Sequence, residues 1–334
     1  WMMVSGFTQA VALDLGVELT VHTDRRKNRF SYRELLTDVL KRDQKPDYVM
    51  FMAMEMVSSA MLEMAGEAGV KVFTFNTDLP AYEAEAVGAP RQFMSHWIGH
   101  ISPDNRASGR QLAEFLLETV DRSGRGNKPA NVIALSGTWD SSAAKDRDLG
   151  LEDALANNNA LQLHQLVSSG WSEEDAYDKT HRLIQRYPDT QILWSASDGM
   201  ALGAIAALEA RGVSPGTDVM VGGIDWEARA LEAIRQGKLA GSLGRHFMGG
   251  GLALLLIYDY HAGHDFANEG DATLRYSFDM ATLENLERIE QVREPENWQR
   301  VDFRQMSRAH NPDLWVGTVS ADKLMDGFME LLNE

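Results

Sequence analysis

The chain has 334 residues, and at roughly 150 residues per domain this length predicts two domains. It is 44% hydrophobic and 24% charged, which is typical of a globular protein and excludes a disordered or collagen-like chain. With 49 acidic and 32 basic side chains, the formal net charge of −17 disfavours binding to nucleic acid or to anionic membranes. The absence of cysteine excludes disulfides, zinc–thiolate sites and thiol nucleophiles.

The first part of the chain alternates short apolar runs with amphipathic stretches. The pattern predicts helices at residues 2–15, 31–41 and 57–68, and strands at residues 17–21, 48–52 and 70–75. Strand–helix–strand units of these lengths are typical of a parallel sheet covered by helices on both faces. Residues 77–95 carry Pro80, Gly88 and Pro90 without a clear period, so we expect them to be irregular.

A second array of the same kind follows. A strand is predicted at residues 96–101, and Asp104 is expected to cap a helix at residues 105–121. Further strands are predicted at residues 131–135, 161–167, 191–194, 219–224 and 239–243, with helices at residues 141–156, 173–186, 199–211 and 226–236. The apolar run at residues 247–258 is shorter than the ~20 residues that span a membrane, so it predicts a buried helix.

Polar or aromatic side chains stand near the ends of the predicted strands in both arrays. They are Glu55, Asn76, Trp171, Asp198, Asp225 and Arg245, with Arg147 on the helix after the first strand of the second array. Because ligands bind at the carboxyl ends of strands in an open parallel sheet, the set predicts one cleft between two lobes. Each residue also has a plainer interpretation, since aspartates cap helices, tryptophans pack in cores, and arginines face solvent or pair at a hinge.

Several segments carry a resemblance to a known family. They are SSAAKDRDLGLEDAL at residues 141–155, SASDGMALGAIAALEARG at 195–212, VMVGGID at 219–225, AIRQGKLAGSLGR at 233–245 and HISPDNRASG at 100–109. In this order they resemble the type I periplasmic solute-binding proteins of sugar ABC transporters, the ribose- and galactose-binding group, from residue 1 to about 290. The resemblance implies an α/β fold of the periplasmic-binding-protein type I, with two parallel-sheet lobes covered by helices on both faces.

The resemblance also implies how the chain divides. The lobes are expected to be joined by three hinge crossings, near residues 102–104, 245–247 and 277–279. The N-terminal lobe would comprise residues 1–102 plus 246–276, and the C-terminal lobe residues 103–245 plus 277–293. Residues 294–334 are predicted to form a C-terminal extension that packs on the lobes.

Residue by residue, the family's binding positions carry over onto this chain. Trp1 and Trp171 correspond to aromatic residues that stack on the sugar, because flat rings bury its apolar faces. Arg147, in the segment SSAAKDRDLGLEDAL, matches an arginine of the family's binding site, and Asp225 matches the aspartate that takes two sugar hydroxyls. These matches imply that a small sugar or sugar-like polyol is the ligand.

Three positions depart from the family pattern. Asn76 stands where sugar binders usually have Asp, Thr77 where many have Arg, and Ser197 where ribose binders have Asn. The identity of the sugar is therefore left open. Trp1, Asn76, Arg147, Ser197, Asp198 and Arg245 are together also similar to the autoinducer-2-binding branch. That branch has no aspartate at the position of Asp225, which favours an ordinary sugar.

The implied function is capture of the sugar by hinge closure and its delivery to the permease of an ABC transporter. No catalytic constellation is visible, so we predict that the protein has no enzymatic activity. The resemblance implies a monomeric periplasmic binding protein without a cofactor. Because Trp1 opens the chain inside a helix pattern, we expect that an upstream signal peptide has been removed. Two alternatives remain: a receptor subunit for a membrane sensor, with autoinducer-2-like signalling, and the effector domain of a LacI-type regulator, which needs an upstream helix-turn-helix.

Two further patterns have simpler interpretations. The motif DYHAGHD resembles metal-ligand spacing, but we interpret it as a solvated helix end that stops at Gly263, and we predict no metal. In the last forty residues, a helix is predicted at residues 321–332. Trp298, Phe303 and Trp315 are predicted to pack against the protein's own lobes rather than to dock a partner.

Overall fold

The structure, a computed structural model, describes residues 1–24, 28–124, 129–267, 271–314 and 319–332. It divides into two compact units: unit 1 is Trp1–Pro103, His246–Tyr276 and Gln291–Glu334, and unit 2 is Asp104–Arg245 and Ser277–Glu290. The chain passes from one unit to the other at the three predicted regions and once more after Glu290, where the C-terminal segment returns to unit 1. The domain boundaries expected from the sequence, after residues 102, 245, 276 and 293, stay predictions.

Helices and strands alternate along both units. The first stretch of unit 1 contains α1 (Met2–Leu15), α2 (Phe30–Leu40), β1 (Tyr48–Met52), α3 (Ser58–Glu67), β2 (Lys71–Phe75), α4 (Ala81–Val87) and β3 (Trp97–Pro103). Unit 2 continues with α5 (Asn105–Ser123), β4 (Ala130–Ser136), α6 (Ser142–Asn157), β5 (Leu161–Ser168), α7 (Glu173–Arg186), β6 (Ile192–Ser195), α8 (Asp198–Ala210), β7 (Met220–Ile224), α9 (Ala228–Arg235) and β8 (Gly241–Gly244). The remainder comprises α10 (Gly249–His261), β9 (Thr273–Tyr276), β10 (Asp279–Ala281), α11 (Leu286–Arg293), α12 (Pro295–Trp298) and α13 (Ala321–Leu331).

Each unit is built on one sheet. In unit 1 the strand order is β1-β2-β3-β9, and every pairing is parallel. In unit 2 the order is β10-β8-β7-β6-β4-β5, parallel throughout except that the short edge strand β10 runs antiparallel to β8. The central strands are apolar and fully buried, as expected for parallel strands with helices on both faces.

Polar caps fix where the helices of unit 2 begin. Asp104 accepts a hydrogen bond from Ala107 N at 2.8 Å, as the sequence predicts. Ser141 caps α6 and Ser172 caps α7 through their hydroxyl oxygens. Ser141 and Ser172 stand a few residues after β4 and β5, so α6 and α7 start at the carboxyl end of the unit 2 sheet.

The predicted strand at residues 17–21 is wrong. These residues have no regular secondary structure, and β1 pairs only with β2 among the described strands. The segment alternates apolar and polar residues, but its side chains are exposed or only partly buried. Because β propensity reflects packing and pairing rather than a backbone preference, the pattern alone does not form a strand.

Five described helices and strands escaped the sequence pattern: α4, β9, β10, α11 and α12. Helix α4 lies within the region expected to be irregular, starting after Pro80 and ending at Gly88, whose φ of 76° only glycine adopts easily. Strand β10 is three residues long, too short to give a period-2 signal. Pairing with β8, rather than its own sequence, makes it a strand.

The C-terminal segment completes an aromatic core in unit 1. Phe7 of α1 makes edge-to-face contacts with Phe247, Trp298, Phe303 and Phe328, at ring-centroid distances of 4.9 to 5.7 Å. Three of these partners come from the segment after residue 290, so the segment packs on α1. The predicted packing residue Trp315 lies outside the described residues.

Nothing among the described helices combines the length and the apolar composition that crossing a bilayer requires. The apolar run at residues 247–258 lies mostly in α10, a buried helix of 13 residues in unit 1.

Candidate functional site

A cluster of predicted binding residues lies at the carboxyl edge of the unit 2 sheet. Trp171 follows β5, Asp225 directly follows β7, and Arg245 directly follows β8. Arg147 is on α6, the helix that follows β4. The sheet and its helices therefore place at one edge four residues that are up to 98 positions apart in the sequence.

Close packing of α5 on α6 places Arg147. A Cβ atom on Gly109 would lie 2.0 Å from the Arg147 carbonyl oxygen, and one on Gly150 would lie 2.0 Å from the Arg106 carbonyl oxygen. No larger residue fits at either position without moving a backbone. The two glycines thus let the helices approach until Arg147 reaches the strand ends.

The Arg147 side chain is buried and held on several sides. Its Nε donates to Asn105 Oδ1 at 2.9 Å, and its Nη1 donates to the Ala196 carbonyl at 2.6 Å. Nη1 also lies 3.8 Å from Asp225 Oδ1. The guanidinium carbon is 5.9 Å from the Trp171 ring centroid and 5.6 Å from that of Phe278. This fixes the plane of the guanidinium before any ligand arrives.

Asp225 ends the seven-residue motif from which its role was inferred. Its backbone has a φ of 133°, and its N–H donates to the Leu243 carbonyl at 2.6 Å. Burial raises the pKa of the Asp225 carboxyl to about 7, opposed by the nearby Arg147 and reinforced by Glu227. The carboxyl therefore changes its charge in the neutral range, next to a guanidinium that stays charged.

Trp171 lies flat against backbone. A Cβ atom on Gly137 would lie 2.0 Å from the Trp171 ring, so the ring occupies the space that a side chain would fill. Its Nε1 donates to Thr138 Oγ1 at 3.2 Å. The φ of Trp171 is 62°, a left-handed conformation that tryptophan rarely adopts.

Arg245 is buried and pairs with the segment that follows the third crossing. Its Nε donates to the Ser277 carbonyl at 2.7 Å, and its Nη1 lies 3.2 Å from Asp279 Oδ2. These contacts form the salt bridge at a hinge that is the alternative to ligand binding for Arg245. A direct contact with a ligand stays a prediction for this residue.

Several of the predicted binding residues, one in unit 1 and three in unit 2, have a strained backbone. Asn76, Trp171, Asp225 and Arg245 all have φ between 62° and 133°, where non-glycine residues cost of order 1–3 kcal/mol each. Each of the four stands just beyond the carboxyl end of a strand. Strained residues of this kind persist only where the surrounding structure holds them, and they are typical of ligand-binding positions.

Ser197 and Asp198 lie inside unit 2 in supporting positions. Ser197 caps α8 by accepting from Met200 N. Asp198 is fully buried and accepts from Glu227 N and from the Ser242 hydroxyl, each at 2.8 Å. Burial and the neighbouring Asp225 raise the pKa of Asp198 well above its usual range. The observed contacts tie the loop after β7 to β8, and a ligand role stays a prediction for both residues.

The predicted binding residues of unit 1 do not contact one another. Trp1 is 69% exposed at the start of α1. Glu55 follows β1 and accepts a hydrogen bond from the Tyr82 hydroxyl at 3.1 Å. Asn76 follows β2, donates to Met52 Sδ at 3.4 Å, and has a buried Oδ1 that accepts nothing from the described residues. The Asn76 Oδ1 is an acceptor that a hydroxyl could satisfy.

Sequence reasoning missed a polar network in unit 1 and two partners of Arg147. Asp78 accepts from Ser102 at 3.0 Å, lies 2.7 Å from His100 Nε2 and pairs with Arg275 at 2.5 Å. Although burial raises it, the contacts with His100 and Arg275 hold the pKa of Asp78 below its usual range. The two missed partners are Asn105 and Phe278. Asn105 lies within the quoted motif HISPDNRASG, a signal that could have found it, whereas no motif marks Phe278.

The motif DYHAGHD does not form a solvated helix end throughout. Asp259 is buried, and its carboxylate accepts from Ser307 Oγ and from the backbone N–H of Arg308 and Ala309 at 2.5 to 3.1 Å. Burial by the returning C-terminal segment, which the sequence pattern does not reveal, explains the difference. Within the described ranges, no group of three or more His, Asp or Glu residues is arranged to hold a metal ion.

Two α/β units with parallel sheets, and polar and aromatic side chains at the strand ends, are typical of proteins that bind a small polar ligand. Residues 2–251 match a family described as the periplasmic binding protein domain. The chain belongs to this family, as the resemblance in its motifs implied. The family consists of non-enzymatic binding proteins.

Known relatives agree with this assignment. The chain is 30% identical over 184 residues to the ribose import binding protein of Escherichia coli, covering 54% of each protein. It is 25% identical over 152 residues to the galactofuranose-binding protein of the same organism, covering 45% of this chain and 46% of that protein. It thus spans about half the length of the curated relatives it matches.

A solved structure extends the likeness to the whole chain. The crystal structure of a periplasmic sugar-binding protein from Pseudomonas fluorescens has a TM-score of 0.85 and 29% identity, covering 100% of this chain and 95% of that one. The predicted type I fold class is confirmed, and with it the assignment to the sugar-binding group.

Proposed function

We propose that this protein captures a small sugar in the periplasm and delivers it to an ABC transporter. The location is the one that the family implies. The observation that carries the proposal is the contact cluster of Arg147, Asp225 and Trp171 at one sheet edge. Hinge closure around the ligand, which the resemblance implies, stays a prediction.

The chemistry of the cluster fits a carbohydrate. A sugar ring has apolar C–H faces and a rim of hydroxyl groups. The Trp171 ring offers an apolar face, and the guanidinium of Arg147 and the carboxyl of Asp225 offer planar groups for adjacent hydroxyls. Since these polar groups are buried or half-buried, a ligand without the matching hydroxyls would leave them unpaired and bind weakly.

The names of the relatives indicate which sugars to test. Related proteins are named for ribose, for ribose and allose, and for galactofuranose. We propose a ligand that contains a pentose or hexose ring, and the Asn76 and Ser197 departures leave the choice of that ring to experiment. A thermal-shift screen with D-ribose, D-allose, D-galactose and L-arabinose tests this, because a ligand that binds only the native state raises its melting temperature.

Arg147→Ala tests the site itself. We expect about 30-fold weaker binding of the best sugar by calorimetry, since a charge-assisted hydrogen bond contributes about 2 kcal/mol. The matched control is Arg106→Ala, which removes an exposed arginine of α5 that pairs with Asp153, and should leave affinity within twofold. Unchanged affinity in Arg147→Ala, with the control intact, would place the sugar elsewhere.

Delivery to a transporter is tested separately. Uptake of the labelled sugar by vesicles that contain a sugar ABC transporter should require this protein in its sugar-loaded form. Binding of the sugar without any stimulated uptake, together with activation of a membrane sensor, would instead support the receptor role.

A further inference from the structure

An exposed aromatic side chain stands beside the unit 2 cluster. Trp139 lies in the loop between β4 and α6, and 67% of its surface is exposed. Its indole makes no hydrogen bond, ion pair or ring contact with any described residue. Among the described residues of unit 2, it is the one exposed large aromatic side chain.

The loop that carries Trp139 is fixed in place. The Ser141 N–H donates to the Thr138 carbonyl at 3.1 Å, closing the turn around Trp139. The Ser168 hydroxyl donates to the Gly137 carbonyl at 2.5 Å, which ties the loop to the end of β5. The turn is thus held from both flanks, and an aromatic side chain on a fixed turn loses little conformational entropy on binding.

The same loop holds the stacking residue of the proposed site. The Trp171 ring lies on Gly137, and its Nε1 donates to Thr138. Trp139 is the next residue along. A sugar ring stacked on Trp171 would therefore have a second aromatic side chain on the adjoining turn. Packing of the protein's own core does not explain Trp139, because its side chain faces solvent.

We propose that Trp139 is a further ligand contact and that the preferred ligand is a two-ring carbohydrate, such as a disaccharide or an aryl glycoside. This rests on the proposed sugar-binding function and specifies its substrate class. One ring occupies the Arg147, Asp225 and Trp171 cluster, and the second ring stacks on Trp139. Trp139 then determines the preference for a substituted over a free sugar.

Matched glycosides test this directly. Calorimetry compares methyl and phenyl β-D-galactopyranoside, and methyl and phenyl β-D-ribofuranoside, on the wild-type protein. We expect the phenyl member of the accepted pair to bind about fivefold to tenfold more tightly, the range of one aromatic stacking contact. Trp139→Ala should remove this preference and leave the methyl glycoside within twofold, and Trp139→Phe should retain most of it. The control Leu283→Ala, which removes another exposed apolar side chain of unit 2, should change neither.

The outcomes separate this inference from the function on which it rests. Equal binding of the methyl and phenyl members, or a phenyl preference that survives Trp139→Ala, overturns the two-ring proposal while the sugar site stands. Failure of every glycoside and of the four free sugars to raise the melting temperature overturns the proposed function, and the two-ring proposal with it.

Discussion

In unit 2 the Arg147 guanidinium lies 3.8 Å from Asp225 and 5.9 Å from the Trp171 ring, and the segment after the third crossing adds Phe278. In unit 1 the predicted residues Glu55 and Asn76 each follow a strand, but they share no contact with each other. Both sets were selected by the same rule, that ligands bind at the carboxyl ends of parallel strands. In unit 2, motifs that resemble the family also mark Arg147 and Asp225 as binding residues, whereas no such motif marks Glu55 or Asn76 in unit 1.

The difference shows how far a position at the end of a strand predicts a binding residue. Such a position places a residue at the correct edge of a sheet, but it does not by itself bring two such residues into contact. Unit 2 has five parallel strands, β5, β4, β6, β7 and β8, in one unbroken order. In unit 1, residues 17–21 remain outside the sheet, and β1 is left as a partly buried edge strand. We infer that ligand affinity depends more on unit 2, and that the fold of unit 1 depends more on the returning C-terminal segment.

The largest effect should come from breaking the aromatic core of unit 1. Phe328 of α13 is fully buried, 4.9 Å from the Phe7 centroid and stacked on Phe303 at 5.9 Å. Phe328→Ala should lower the free energy of unfolding by about 3–5 kcal/mol, because it leaves a cavity among aromatic rings. Urea unfolding measures the loss.

Phe93→Ala is the matched control, since Phe93 is 66% exposed in the same unit and should cost less than about 0.5 kcal/mol. If Phe328→Ala unfolds at the same urea concentration as the wild type, the C-terminal segment is not part of the core of unit 1.

A second pair of variants compares the two units by affinity. Asp225→Ala should weaken binding of the best sugar about 30-fold, since it removes a carboxyl 3.8 Å from the buried Arg147 guanidinium, whose charge it helps to balance. Asn76→Ala should weaken it only about threefold to fivefold, the loss of one neutral hydrogen bond. Calorimetry on both variants gives the ratio of the two losses of affinity.

Asp153→Ala provides the control for removal of a carboxylate, because Asp153 is on the outer face of α6 and pairs with Arg106. Equal losses of affinity in Asp225→Ala and Asn76→Ala would contradict the inference that ligand affinity depends more on unit 2. A larger loss in Asn76→Ala would mean that it depends more on unit 1.

Much of the fold was predictable from periodicity. From α5 to β8, the helices and strands of unit 2 follow the predicted pattern within two residues or so, because buried parallel strands and amphipathic helices each have their own period. The failure at residues 17–21 has a definite cause: the pattern describes what a strand would need, but pairing decides whether it forms. Strand β10 was missed for the opposite reason, since its partner β8 supplies what its three residues lack.

The site was predictable where motif and strand end coincide. Asp225 satisfies both conditions, and it lies in contact with Arg147, which a motif alone marks on helix α6. Asp198 satisfies both as well, yet it is fully buried and bonded to Ser242, because the motif cannot say which side of a strand end the side chain takes. Phe278 could not be predicted, because it reaches Arg147 only after the chain has left unit 2 and returned.

The smallest effect concerns the carboxyl next to Arg147 in sequence. Asp148 accepts from the Ser136 hydroxyl at 2.7 Å, while its Oδ1 is buried and accepts nothing from the described residues. Burial raises the pKa of Asp148 to about 6, the Ser136 hydrogen bond and Arg147 lower it, and Glu152 adds to the rise. The folded protein therefore holds a proton on Asp148 that the unfolded chain has already released near pH 4. The contribution of this group to stability falls as the pH rises from about 4 to about 6 and is constant above that.

Asp148→Asn cannot titrate and should escape this loss. Relative to the wild type, its free energy of unfolding should rise across the same interval by about 1 kcal/mol, allowing for solvent screening at this half-buried position. Urea unfolding at pH 4.0, 5.0, 6.0 and 7.0 measures this difference in the free energy of unfolding. The control is Glu118→Gln, on an exposed face of α5, for which the difference from the wild type should not change with pH. A difference between Asp148→Asn and the wild type that stays constant with pH would mean that the carboxyl is solvated in the folded protein. The packing of α6 against the end of β4 would then be looser than the packing that fixes Arg147.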